Sequence, residues 1–155
     1  MPRFAACDPA EPPASELLAE MTAELNSVYE TFSRLDNPRL DPGDLRPPGG
    51  TYLVGWDGDR PVAGGGLRLL AGDVAEIKRM FVRPGARSRG VAAALLGALE
   101  DAASALGYRA VRLDTGPKQV HALALYRRSG FVEIAPYNEN PFACYWAEKV
   151  LHPPA

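Results

Sequence analysis

The segment from Ala75 to Leu106 changes its hydrophobic period halfway, and this change constrains the fold more than any other feature of the chain. Ala75 to Val82 has the apolar and β-branched content of a strand, and Pro84-Gly85 stops it. Val91 to Leu106 is rich in alanine and leucine, a composition typical of a helix. The chain therefore passes from a strand through a short loop directly into a helix.

The other elements are predicted from periodicity and turn residues. Apolar residues at three- and four-residue steps predict a helix from about Glu16 to Ser33, with Ser15 as its cap. Further strands are expected at Thr51 to Trp56, Pro61 to Leu70, Tyr108 to Thr115, Phe131 to Ala135 and Phe142 to Val150, and a short helix at Gln119 to Arg128. We therefore expect an α/β (α+β) fold with helices on the faces of a mixed sheet.

Length and composition narrow the class of protein. The 155 residues suit one domain over residues 1–155, in which residues 1–50 are proline-rich and irregular apart from their helix. The longest nearly unbroken apolar run, Val91 to Leu99, is nine residues, too short to cross a bilayer. Cys7 and Cys144 have neither disulfide-framework nor zinc-site spacing, and no signal peptide is recognisable. A cytoplasmic protein without a membrane span is expected.

Charge is concentrated in one short stretch. The formal net charge is −2, which gives no global reason to bind nucleic acid. Between Lys78 and Gly90, however, five cations occur without an acidic residue: Lys78, Arg79, Arg83, Arg87 and Arg89. Regular strand alternation would put Arg79 on the face of Ile77, opposite Lys78 and Met80. The stretch predicts an anionic ligand near the start of the following helix.

The loop before that helix has the composition of a phosphate site. The first N–H groups of a helix lack intrahelical partners and carry partial positive charge, so they bind phosphate oxygens. Gly90 permits close approach of a ligand, and Arg87 and Arg89 supply charge. The pattern is neither a Walker loop nor a dinucleotide fingerprint. Taken alone, it is more typical of a solvated basic loop whose glycine serves its turn.

The loop sequence resembles the signature of the GCN5-related N-acetyltransferases (GNAT), which is Arg or Gln, two residues, Gly, one residue, then Gly or Ala. The matching residues are Arg87-Ser88-Arg89-Gly90-Val91-Ala92. Ala75 to Val82 looks like the family's fourth strand, and Ala122 to Phe131 looks like its fourth helix and following turn. The resemblance covers about Thr51 to Leu151. It implies a mostly antiparallel mixed sheet that splays between the fourth and fifth strands.

The resemblance also implies where acetyl-CoA binds. In this family the pantetheine arm pairs with the fourth strand and the pyrophosphate lies on the signature loop. The implied coenzyme-binding residues are Met80, Phe81, Val82, Arg87, Ser88, Arg89, Gly90, Val91 and Ala92. Relatives often carry Asn seven residues before the tyrosine of the following helix, and here that position is Gln119, a longer amide with a less certain role.

Two residues are implied in catalysis. Tyr126 matches the tyrosine that lies near the coenzyme sulfur, where a phenol can donate a hydrogen bond to the leaving thiolate. The alternative is that Tyr126 only packs beside Leu123 and Leu125. Glu76 is the candidate base for an ammonium acceptor, because relatives often use a glutamate on this strand. The equally weighted alternative is a structural Glu76 that pairs with Lys78 or Arg68.

The implied activity is transfer of the acetyl group of acetyl-CoA to a primary amine by direct attack in a ternary complex, without a metal. The acceptor, a small molecule or a peptide or protein amine, stays open; Asp36, Asp41, Asp44 and Glu139 weakly favour a cationic one. Tyr137 and Glu139 are weaker candidates for recognising it. A homodimer is compatible with the family. An acyl-CoA-binding sensor without turnover and a nucleic-acid-binding protein are the alternatives, and the second is disfavoured.

Overall fold

A computed structural model describes residues 1–28, 42–117 and 120–152. These residues form a seven-stranded mixed sheet with the strand order β1-β2-β3-β4-β5-β7-β6. The strands are β1 (Arg3–Ala6), β2 (Thr51–Asp57), β3 (Arg60–Ala71), β4 (Val74–Val82), β5 (Ala110–Thr115), β6 (Val132–Glu133) and β7 (Tyr145–Val150). All neighbouring pairs are antiparallel except β4 and β5, which run parallel. The expected mostly antiparallel mixed sheet is confirmed.

In the described part of the chain, three α-helices cover the two faces of the sheet: α1 (Ala14–Val28), α2 (Val91–Ala105) and α3 (Val120–Arg128). On one face, α2 and α3 bury Leu95, Leu99 and Leu125 against the sheet. On the other face, α1 buries Leu17 together with Tyr52, Val54 and Phe81. The alternation of apolar side chains along the strands thus fills two separate cores, with helices on both faces as expected.

The N-terminal part differs most from the sequence-based expectation. A strand, β1, precedes the first helix and extends the sheet by antiparallel pairing with β2, so the strand from Val74 is the fourth in this chain. Such a four-residue edge strand carries little periodic signal. Helix α1 begins at Ala14, so Ser15 lies inside it and is not its cap. The predicted extension to Ser33 and the loop at 36–41 lie outside the described residues, and Pro42–Leu45 is a short 3-10 helix.

The C-terminal strands are shorter than predicted. The segment expected to be a strand over Phe131 to Ala135 contributes only Val132–Glu133, and the last strand starts at Tyr145 rather than Phe142. Asn138 and Asn140 bond backbone N–H groups through their side chains in this region, which favours turns over extended pairing. The loop at 136–141 consequently folds back over the sheet.

Strand β4 contains a bulge that breaks its predicted alternation. Gly64 pairs with Phe81 and Gly66 pairs with Lys78, so Arg79 and Met80 both lie opposite Gly65. Arg79 has a φ of 61°, in the left-handed region. The extra residue puts Met80, with Ile77, on the face packed by α2, and the expectation that Met80 and Lys78 share a face is wrong.

Candidate active site

A gap opens between the two parallel strands of the sheet. Strands β4 and β5 pair at Val74 with Ala110, Ala75 with Val111, and Glu76 with Arg112, and the pairing stops there. Beyond this point β5 stays paired with β7 as far as Thr115, while β4 continues beside β3 to Val82. The two strands therefore diverge toward their carboxyl ends, which leaves backbone groups on the inner edge of β4 available to a ligand. The expected splay is confirmed.

A cleft of about 610 Å³ lies beside this gap, between the end of β4, the start of α2 and one side of α3. Eight of the residues expected to bind the coenzyme line it: Met80, Phe81, Val82, Arg87, Ser88, Gly90, Val91 and Ala92. Arg89, from the same loop, is exposed and is not among the lining residues. Gln119 lies outside the described residues. Helix α3 contributes His121, Leu125, Tyr126 and Arg128 to the opposite wall.

The start of α2 presents main-chain donors to the cleft. Gly90 caps the helix with φ 79° and ψ 9°, a left-handed conformation that suits glycine. Ser88, two residues earlier, is also left-handed, with φ 64°. The first hydrogen bond of the helix runs from the Ala94 N–H to the Gly90 carbonyl, so the amides before Ala94 precede the ladder. This arrangement can accept an anion on backbone N–H groups.

Most cations of the basic stretch are already paired. Arg87 donates from Nη2 to Glu24 of α1 at 2.6 Å and from Nε to the Val82 carbonyl at 2.8 Å. Arg83 bonds Glu20 of α1 with both carboxylate oxygens, at 2.6 and 2.9 Å. The stretch is therefore not an open basic surface, and α1 is fastened to the loop that enters α2.

Tyr126 lines the cleft from α3. Its side chain is buried, its hydroxyl lies 3.9 Å from the Met80 sulfur, and its ring packs on Phe131 at a centroid distance of 5.9 Å. Burial, with a smaller contribution from the negative charge of Asp114, raises the pKa of Tyr126 to about 12. The phenol thus keeps its proton at neutral pH and can act as a hydrogen-bond donor.

Glu76 is fully buried on the α1 face of the sheet, where both carboxylate oxygens are occupied. Arg68 Nε donates to Oε1 at 2.8 Å, and Tyr137 Oη donates to Oε2 at 2.6 Å. Lys78 Nζ lies 3.4 Å from Oε2. Glu76 thus forms the ion pairs that its structural alternative predicts, with both Arg68 and Lys78.

Tyr137 is the member of this network that comes from the loop at 136–141. Its side chain is only partly buried, whereas Glu76 is completely so. Burial first, and then the negative charge of Glu76, raise the pKa of Tyr137 well above its usual range, so its hydroxyl stays protonated. Tyr137 was only a weak candidate in the sequence, because a tyrosine in a polar loop gives no sign of its distant partner.

The chain matches the family model described as the acetyltransferase (GNAT) family over residues 16–131. It is 33% identical over 141 residues to an IAA acetyltransferase of Azospirillum brasilense, covering 88% of this chain and 90% of that protein. This chain belongs to the GNAT family. Membership supports acyl-CoA N-acyltransferase activity.

Solved structures share the GNAT fold. A GNAT acetyltransferase from Staphylococcus aureus Mu50 superposes with a TM-score of 0.75 at 18% identity, covering 97% of this chain and 100% of that one. A GNAT acetyltransferase from Elizabethkingia anophelis with acetyl-CoA bound gives a TM-score of 0.68 at 16% identity, covering 97% and 98%. At this identity the likeness concerns the fold.

The loop at 136–141 of this GNAT chain is fixed onto the sheet by Asp114 of β5. Asp114 accepts hydrogen bonds from Asn138 Nδ2 at 2.7 Å and Asn140 Nδ2 at 3.4 Å, and Lys78 Nζ lies 3.5 Å from it. The side-chain oxygen Oδ1 of Asn138 in turn accepts a hydrogen bond from Trp146 Nε1 at 2.9 Å. Sequence reasoning missed Asp114, although an aspartate within an apolar strand is a signal of a buried polar contact.

Residues 1–28, 42–117 and 120–152 contain neither a metal-binding cluster nor a membrane-spanning helix. This part of the chain has no group of three or more His, Cys, Asp or Glu side chains suited to hold a metal ion. None of its helices has the length and apolar character needed to span a bilayer.

Proposed function

We propose that this protein transfers the acetyl group of acetyl-CoA to a primary amine by direct attack within a ternary complex. The observation that carries the proposal is the gap beside β4 that leads to the left-handed Gly90 at the start of α2. A relative of the same fold has acetyl-CoA bound, and a relative of similar length is an acetyltransferase. The proposed reaction uses no metal.

The coenzyme would be held mainly by backbone groups. We assign the pantetheine to the free edge of β4 at Met80, Phe81 and Val82, and the diphosphate to the main-chain amides from Arg89 to Ala92. Ser88 and Arg87 line the same cleft and would contribute from their side chains. Arg87 would do so while it bonds Glu24. The proposed role of Gln119 in binding the pantetheine rests on the family pattern.

Tyr126 is proposed to donate its hydroxyl proton toward the coenzyme sulfur as the thiolate leaves. Its position in the cleft and the raised pKa, about 12, support a donor that remains protonated across the working range of pH. Among the described residues, its hydroxyl has only the long contact with the Met80 sulfur at 3.9 Å, so it can turn to a better acceptor.

Glu76 is proposed as the base, and it would act through Tyr137. Since its carboxylate is buried and both oxygens are bonded, an amine cannot reach it directly. The amine would give its proton to the Tyr137 oxygen while the Tyr137 hydroxyl proton moves to Glu76 Oε2, 2.6 Å away. Tyr137 ends neutral, Glu76 ends protonated, and the amine becomes the nucleophile.

The experiment is release of free CoA from acetyl-CoA with a panel of primary amines. We expect turnover with at least one amine and a loss of about 100-fold in kcat for Tyr126→Phe, with coenzyme affinity nearly unchanged. Tyr108→Phe is the matched control, because the Tyr108 hydroxyl bonds the Gly49 carbonyl and does not line the cleft. Equal losses of kcat in both variants would mean that Tyr126 only packs in the core.

The alternatives give different results in the same experiment. A sensor would bind acetyl-CoA and release no CoA with any amine. Nucleic-acid binding would show steep salt dependence and no thermal stabilisation by coenzyme. The pairing of Lys78, Arg83 and Arg87 with carboxylates argues against it. A cytoplasmic location stays a prediction, supported by two free cysteines, Cys7 and Cys144.

A further inference from the structure

Arg79 adopts a backbone conformation that side chains rarely take. It occupies the bulge of β4 with φ 61°, and it lies with Met80 opposite the single residue Gly65. A non-glycine residue in this region costs free energy, and such residues are concentrated at functional sites. A glycine would satisfy the backbone at no cost, so the arginine side chain itself needs an explanation.

Within the described part of the chain, the charge of Arg79 is also uncompensated. Among residues 1–28, 42–117 and 120–152, its guanidinium forms no hydrogen bond or ion pair. Its side chain is only partly exposed, and burial lowers its pKa. The buried carboxylates of β4 and β5 have other partners: Glu76 pairs with Arg68 and Lys78, and Asp114 pairs with Lys78. A partly desolvated cation without a counterion is unfavourable unless a ligand supplies the anion.

The position of Arg79 relates it to the proposed acyl-transfer point. It lies beyond Glu76, where β4 separates from β5, and directly before Met80, whose sulfur contacts the Tyr126 hydroxyl. Arg79 does not line the cleft assigned to the coenzyme, although the following residues Met80 to Val82 do. A ligand anion at Arg79 would therefore belong to the acceptor rather than to the coenzyme.

We propose that Arg79 binds a carboxylate of the acceptor, so that the substrate is an amine that also carries a carboxylate, as an amino acid does. This proposal rests on the proposed acetyl transfer. A guanidinium can bind a carboxylate through two parallel hydrogen bonds, which fixes the orientation of the attached amine. Of the acidic residues that weakly favour a cationic acceptor, Asp44 already pairs with Arg68 at 3.7 Å.

The test compares free amino acids with their own carboxamides as acceptors. For the wild-type protein we expect a preference of at least about 10-fold in kcat/KM for the carboxylates. Arg79→Gln should abolish that preference by raising KM for the carboxylates, with the carboxamides nearly unaffected. Arg60→Gln, which removes an exposed arginine of the hairpin between β2 and β3, is the matched control and should keep the preference.

Arg79→Gly separates recognition from folding. It should raise the melting temperature, because glycine relieves the left-handed strain, and it should still lose the preference for carboxylates. The proposal is overturned if the wild type does not discriminate, or if Arg79→Gln and Arg79→Gly weaken both substrate types equally. Absence of turnover with every amine, despite coenzyme binding, would overturn the proposed acetyl transfer instead.

Discussion

The two faces of β4 are built on different principles. Toward α2 and α3, the start of α2 presents backbone groups and the small residues Gly90, Val91 and Ala92 to the cleft. Toward α1 and the loop at 136–141, long side chains form a dense network around Glu76 and Asp114. The first region depends on local chain geometry, whereas the second depends on contacts between residues far apart in sequence.

This difference indicates which region of the protein determines specificity. A binding site made of main-chain amides tolerates many side chains and recognises a constant ligand. A site made of paired side chains can be altered one residue at a time, and Arg79 lies at its border without a partner among the described residues. We therefore expect substitutions on the face toward α2 and α3 to change coenzyme binding. Substitutions on the face toward α1 should instead change stability or acceptor choice.

The largest effect on stability is expected for Glu76→Gln. Removing the charge leaves Arg68 and Lys78 with their weaker partners Asp44 and Asp114, at 3.7 and 3.5 Å. Loss of one member of a buried ion pair should cost about 3 kcal/mol of the free energy of unfolding, measured by urea denaturation. Glu133→Gln, at an exposed position of β6, should change it by less than about 0.5 kcal/mol.

The same Glu76→Gln variant tests the independence of the two faces. Its affinity for acetyl-CoA should stay within about threefold of wild type, or about 0.65 kcal/mol, if the cleft depends on backbone geometry alone. If Glu76 is also the base, the rise of kcat with pH should flatten in this variant and in Tyr137→Phe. A parallel loss of coenzyme affinity would show that the two regions are coupled.

A somewhat smaller effect, confined to the other face, is expected for Gly90→Glu. A carboxylate at the start of α2 would repel the diphosphate, and coenzyme affinity should fall about 100-fold, or about 2.7 kcal/mol. Because Gly90 has a left-handed φ of 79°, the glutamate would also strain the folded backbone and lower the free energy of unfolding by about 1 to 2 kcal/mol.

The control for this variant is Gly85→Glu. Gly85 precedes the same helix, has open space where a Cβ would lie and does not line the cleft. Both variants add one negative charge to the loop region. Isothermal titration with acetyl-CoA should show near-normal affinity for Gly85→Glu, and equal loss in both would point to net charge rather than to the amides of the helix start.

The smallest effect, and one of opposite sign, is expected for Tyr52→Phe. The Tyr52 hydroxyl is buried on the α1 face and has no hydrogen-bond partner among the described residues. Burial raises the pKa of Tyr52 above its usual range, so the group stays neutral. Removing a buried, unsatisfied hydroxyl should stabilise the fold by about 1 kcal/mol in thermal unfolding. Destabilisation would mean that the hydroxyl has a bonding role.

The contrast between the faces also explains what the sequence could predict. The Gly90 loop, the helix after it and the β-meander before it follow from local patterns, and the splay followed from the family resemblance. The bulge at Arg79 could not be anticipated, because it depends on Gly65 facing two residues of β4. The bond from Tyr137 to Glu76 joins residues 61 positions apart, and no periodic signal connects them.

The N-terminal strand was missed for a related reason. Arg3–Ala6 has too few residues to show alternation, and its pairing with β2 depends on an edge that forms only in the folded sheet. The two-residue strand β6 is likewise held by β7 rather than by its own composition. Elements of this kind are set by tertiary contacts, which a reading of local sequence does not contain.

The most direct test of the account is a crystal structure of the protein with CoA. We predict that diphosphate oxygens lie about 2.7 to 3.2 Å from the main-chain nitrogens between Arg89 and Ala92, with the pantetheine amides bonded to β4 at Met80 to Val82. A diphosphate bound elsewhere, or a β4 whose inner edge is paired with β5 along its whole length, would contradict it.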